Sequence, residues 1–156
     1  MRSNYILYAS CLILVIAGGL SGCTSTPGGG FRTIDVSGAP KAAGPYAQGI
    51  VADGFVFTAG QTPRDPVTGK QIEGDIAAKT NRVLDNLEAV LRGGGCTLQD
   101  VVKVTVFMTD LTEYAKMNEA FAVRFGSHRP ARTTVEVSKL PGNARLEIDF
   151  VAKLPR

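Results

Sequence analysis

Two short stretches near the C-terminus carry the side chains best suited to chemistry. In "RTTVEV", Arg132, Thr134 and Glu136 fall on one side of a two-residue alternation, opposite Thr133, Val135 and Val137. In "RLEIDFVAK", Arg145, Glu147 and Asp149 alternate with Leu146, Ile148, Phe150 and Ala152. An arginine on such a strand can fork onto a carboxylate through two parallel N–H···O bonds. A second group, such as a carboxylate, can position a water and take its proton. The same six polar residues also describe a solvated sheet face laced with cross-strand ion pairs. Alternation alone does not choose between the two.

Other chemistries are poorly served. The chain holds one histidine, His128, and shows no Ser-His-Asp arrangement around it. Of its three cysteines, Cys96 is the one expected to stay free in the domain, which leaves no metal-ligand set. "GGG" at Gly28–Gly30 lies in a tether, and "GGGC" at Gly93–Cys96 ends a helix instead of opening one. Neither cradles phosphate. The formal net charge is +3, with the basic residues scattered and few aromatics among them. That is not the clustered footprint of a nucleic-acid binder.

The elements that must hold the polar strands are legible in turn. "FRTIDV" (Phe31–Val36) reads as a first strand, and "APKAAGPYAQG" as a loop. "GIVADGFVFTAGQ" is a hairpin, since Asp53-Gly54 suits the positive φ angles of a tight turn. Asp75 is placed to cap a helix whose apolar positions are Ile76, Val83, Leu84, Leu87, Val90 and Leu91, with Gly93 as its stop. Val101–Asp110 is a strand with Val102, Val104, Val106 and Met108 on one face and Val101, Lys103, Thr105 and Phe107 on the other. Being apolar on both faces, it belongs in a covered, central position. A second helix starts near Asp110 or Thr112 and ends at Gly126, with Tyr114, Met117, Phe121 and Phe125 as its apolar stripe. The order β-β-β-α-β-α-β-β predicts one α/β (α+β) domain: a mixed sheet with both helices on one face. The other face is left open, which calls for an oligomer that buries sheet against sheet.

Three stretches resemble the RidA family of reactive-intermediate (enamine/imine) deaminases. They are "GPYAQGIVADGFVFTAGQTPRDPVTG", "VVKVTVFMTDLTEYAKMNEAF" and "RPARTTVEVSKLPGNARLEIDFVA". The likeness is collinear over roughly residues 31–153. It implies a chorismate-mutase-like fold and a homotrimer with clefts between subunits. It also implies hydrolysis of enamine or imine acids such as 2-aminoacrylate to a 2-keto acid and ammonia, without metal or cofactor. Arg132 matches the family arginine that binds the substrate carboxylate, and Glu147 the acidic residue that holds the attacking water. Tyr46, Gly60 and Asn118 match cleft positions, and Thr134 stands where the family has Cys or Thr. Ala59 departs from the pattern, since the family usually has Ser there. The missing hydroxyl removes a possible hydrogen bond and bears on substrate range. The alternative is a non-catalytic trimer, ligand-binding or chaperone-like, using the same clefts. An RNA-cleaving role, ascribed to some relatives, gains little from the scattered charge.

The N-terminus differs in kind from this domain. Arg2 precedes a mostly apolar run from Tyr5 to Leu20, shorter than the ~20 residues that span a membrane. A basic start, a short apolar core and small residues after it describe a secretory signal. "LSGC" (Leu20–Cys23) resembles the bacterial lipoprotein box, which implies lipid on Cys23 and cleavage before it; the alternative is an ordinary signal peptide or a weak anchor, with Cys23 incidental. Residues 1–22 are then signal, 23–30 a lipidated cysteine and tether, and 31–156 the domain. The tether "TSTPGGG" reaches roughly 15 Å as a flexible chain. These features predict a lipid-anchored location on the bacterial cell envelope, facing the periplasm.

Overall fold

The computed structural model describes residues 30–156. The signal segment, Cys23 and nearly all of the tether lie outside the described residues. Six strands form one sheet in the order β1-β2-β3-β6-β4-β5. They are β1 (Arg32–Ile34), β2 (Gly49–Ala52), β3 (Phe55–Thr58), β4 (Val101–Met108), β5 (Ala131–Glu136) and β6 (Leu146–Lys153). The helices are α1 (Ile76–Gly94) and α2 (Tyr114–Phe125). All neighbouring strands run antiparallel except β4 and β5, which are parallel because α2 carries the chain back between them. The element order and the mixed sheet are those the sequence predicts.

Local chemistry explains the ends. Asp53 and Gly54 both take positive φ, 48° and 80°, as a two-residue hairpin turn requires. Asp75 caps α1 by accepting from the Ala78 amide at 2.9 Å. The helix runs past the expected stop at Gly93, because the left-handed cap falls on Gly95 at φ 91°. A 3-10 turn at Leu111–Glu113, capped by Asp110, precedes α2 and delays its start to Tyr114.

Both helices pack on one face of the sheet. The core there joins Val83, Leu84, Leu87 and Leu91 of α1, Met117, Phe121 and Phe125 of α2, and Val56, Val104, Val106, Met108, Ile148 and Phe150 from the strands. Phe125 meets Phe150 edge-on with ring centroids 5.8 Å apart. Cys96 is buried against this core, and burial pushes its thiol pKa up, so it packs as a small apolar side chain.

One strand face differs from the alternation. The β4–β6 register slips between Val101 and Lys103. That bulge puts Val101, not Val102, on the buried side with Val104 and Val106, and leaves Val102 44% exposed. The second face of the sheet is open, as expected. Phe57 (45%) and Val135 (37%) stand exposed on it beside half-buried Ile50, Phe107 and Val151.

Candidate active site

Strand register decides which polar residues can meet. Arg132 pairs with Val104, and Val104 with Phe150, so all three project towards the helices. Glu147 pairs with Phe107, and Asp149 with Thr105, so these project onto the open face. The six polar residues are therefore not one face. Arg132 and Thr134 lie on the helix side and Glu147 and Asp149 on the other. Two of the six serve structure instead. Glu136 accepts from the Leu111 amide at 3.0 Å, and Arg145 bridges Glu113 at 2.5 Å and Asp110 at 3.8 Å.

On the helix side, β5 lies at the edge of the sheet, and α2 overhangs it. Arg132 donates from Nη2 to Asn118 Oδ1 at 2.5 Å and to the Tyr114 hydroxyl at 3.1 Å. Its guanidinium rests over the Phe121 ring, 5.0 Å from the centroid, and 5.7 Å from that of Tyr114. Among the described residues no carboxylate pairs with it. The charge is thus oriented by neutral partners and left free for an anion. Thr134 lies beside it with a buried Oγ1 that has no hydrogen-bond partner. Leu111, Tyr114, Arg132 and Thr134 line a cavity of about 530 Å³.

On the open side, Glu147 is half-buried at one end of a cavity of about 670 Å³ that also takes in Tyr46, Ala59, Gly60, Arg64 and Gln71. Gly60 is what lets the carboxylate in. A Cβ built there would sit 1.9 Å from Glu147 Oε1. The Gly60 segment is fixed on both sides: Ala59 N–H donates to Gln48 O at 2.9 Å, and Gln61 exchanges backbone bonds with Ile148 at 2.9 and 3.0 Å. Tyr46 is exposed, and its hydroxyl accepts from the Ala43 amide at 3.1 Å, which folds its loop back on itself. That loop is pinned by Gln48, buried at 2% exposure, whose amide bonds Val36, Ala39 and Pro40.

The structure therefore groups the expected residues in two sets. Tyr46, Ala59 and Gly60 gather around Glu147; Asn118 and Thr134 gather around Arg132. The two sets occupy separate surfaces of one chain. Gln48 and Tyr114 are additions. A buried glutamine in a loop has no sequence signal. Tyr114 sits at helical spacing with Met117 and Phe121, and so reads as core, yet it is 38% exposed with its hydroxyl at Arg132. Among the described residues no group of three or more His, Cys, Asp or Glu is placed to hold a metal ion.

Burial, and then the neighbouring Asp149 carboxylate, raise the Glu147 carboxyl above the ordinary glutamate range. A base works only when ionised, so if Glu147 is the base of a hydrolysis, activity should fall on acidification at a higher pH than an unperturbed glutamate would give. Asp149→Asn removes the like charge and lowers the Glu147 pKa. We expect the acid limb of kcat/KM to move to lower pH in that variant, read from a pH–rate profile. An unmoved limb would mean that Glu147 is not the titrating base.

Residues 36–154 match the family described as endoribonuclease L-PSP. The chain belongs to this family, the RidA family. Among RidA relatives, a RutC family protein of Pyrococcus horikoshii is 49% identical over 121 residues, covering 78% of this chain and 96% of the relative. The 2-iminobutanoate/2-iminopropanoate deaminase of Escherichia coli K12 is 39% identical over 124 residues, again 78% of this chain and 96% of the relative. The crystal structure of Escherichia coli TdcF with bound serine superposes with a TM-score of 0.75 at 36% identity, over 80% of this chain and 99% of that one. The RidA fold, a chorismate-mutase-like α/β sheet with two helices, is the fold found here.

Proposed function

We propose that this chain is an enamine/imine deaminase that acts as a homotrimer, converting 2-aminoacrylate-like acids to 2-keto acids and ammonia. The observation that carries the reading is Arg132: a guanidinium held by Asn118, Tyr114 and Phe121 with no described carboxylate paired to it. Such a group is prepared for a substrate carboxylate. Relatives named as imine deaminases and one that binds serine in its crystal structure supply the substrate class.

The two sets of residues complete each other only between chains. Packing the open face of one chain against another covers its exposed apolar residues. In the proposed trimer each cleft takes Arg132, Asn118 and Thr134 from one subunit and Tyr46, Ala59, Gly60 and Glu147 from its neighbour.

The chemistry then needs no activated protein nucleophile. The enamine gains a proton at its β carbon and loses one from nitrogen, giving the imine. Arg132 fixes the carboxylate and so the position of C2. Water adds through oxygen to C2 while Glu147 takes a proton from it. Glu147 returns that proton to nitrogen, giving an amino alcohol; it then passes the hydroxyl proton to the amino group as the C–N bond breaks, so that ammonia leaves and the ketone forms. The partner is thus a small-molecule imine or enamine acid and not a nucleic acid, and no cofactor is required. Ala59 presents a methyl group to the same cavity, which favours apolar side chains on the substrate.

The lipid anchor on Cys23 belongs to this reading. Three tethered chains per trimer would hold the enzyme on the envelope almost permanently. The decisive assay generates imines from several amino acids with an amino-acid oxidase and follows their hydrolysis by the purified protein. Acceleration of at least one imine supports the enzyme. No acceleration for any would leave a ligand-binding trimer. Mass spectrometry of the exported protein tests the anchor, and an unmodified Cys23 would overturn it.

A further inference from the structure

Tyr114 is the first residue of α2 and is carried to Arg132 by the 3-10 turn before it. Its oxygen accepts from Arg132 Nη2, so a lone pair is used while its own O–H is not. No described residue accepts that proton. The neighbouring Thr134 hydroxyl is also unpartnered, and it is buried. Both groups line the cavity of about 530 Å³ that Arg132 and Leu111 also line. The Tyr114 and Thr134 hydroxyls and the remaining N–H groups of Arg132 converge there with no described acceptor, which is the arrangement an oxyanion fills.

We propose that Tyr114 donates a hydrogen bond to the substrate carboxylate alongside Arg132, and so makes the site selective for acids over their neutral analogues. This rests on the assignment of the Arg132 cavity to the carboxylate. The phenol is well suited to the task. Asn118, and then the hydrogen bond and charge of Arg132, pull its pKa below the usual tyrosine range, which strengthens it as a donor. The guanidinium fork supplies charge and two donors. The phenol adds a third from the side, where it sets the rotation of the carboxylate about its C–C bond.

Tyr114→Phe removes one oxygen and leaves the ring that stacks near Arg132. The test is an NMR titration of the full-length protein and this variant with 2-oxobutanoate and with 2-oxobutanamide, its uncharged counterpart. We expect the acid to bind about tenfold more weakly to the variant, as for a lost hydrogen bond to a charged group. Amide binding should stay within about twofold. In turnover, KM for the imino acid should rise in step while kcat is kept. Equal weakening of acid and amide would show that the Tyr114 hydroxyl makes no contact specific to the carboxylate, and would overturn the proposal. So would an unchanged affinity for the acid, or failure of the wild-type protein to bind it. Should no imine be hydrolysed while the acid-selective loss is still seen, the Tyr114 assignment stands and the deaminase reading falls.

Discussion

Arg132→Ala is expected to lower kcat/KM for imine hydrolysis by ~10³-fold or more, the loss of a bidentate charge-assisted contact together with the orientation it enforces. The fold should barely register the change. Arg132 is half-buried on an edge strand, its side-chain bonds go to Asn118 and Tyr114, and no carboxylate is left unpaired when it goes. Stability should fall by no more than ~1 kcal/mol. Arg132→Lys should recover little, because an ammonium cannot bond Asn118 and fork onto a carboxylate at once. Kinetics and a thermal melt on the same samples check both halves. Retention of more than about a tenth of the activity by the alanine variant would remove Arg132 from the mechanism.

Gly60→Ala should be nearly as damaging, though it deletes nothing. The new methyl would lie 1.9 Å from Glu147 Oε1 and 2.8 Å from its Cδ. Those atoms are the free end of a side chain, so Glu147 can swing away at small cost to stability, under ~1 kcal/mol. In the proposed mechanism, swinging away takes the base from the water it must hold. A misplacement of about 1 Å can cost ~10²-fold, so kcat should fall by that order while the melting temperature hardly changes. The double variant Gly60→Ala, Glu147→Gln should then be no worse than Glu147→Gln alone, since both remove the same function. Additive losses would show that Gly60 matters for another reason.

The contrast between these residues shows what the sequence could and could not reveal. Alternation places Arg132 with Thr134 and Glu147 with Asp149, and the register agrees. It does not say which face each strand presents. That depends on how β5 and β6 join β4, one parallel through α2 and one antiparallel, and a loop of uncertain register lies between them. The slip at Val101–Lys103 shows the limit directly, because one extra residue moved Val102 out of the core. Tyr114 was hidden for a different reason. An aromatic at helical spacing matches the core pattern, and only the 3-10 turn ahead of α2 brings its hydroxyl to β5. Gly60 entered through the family likeness, and its purpose becomes physical only when the Glu147 carboxylate is seen where a side chain would be.

The placement of Arg132 and Glu147 on opposite faces of one sheet has a consequence for mixtures. In the proposed trimer no chain reacts with its own pair, so two dead proteins can repair each other. Chains carrying Arg132→Ala still offer Glu147, and chains carrying Glu147→Gln still offer Arg132. Co-assembled in equal amounts, they leave about one cleft in four with both groups intact. Roughly a quarter of the wild-type activity should return from two preparations that have almost none. A chain that held its whole site to itself would recover nothing.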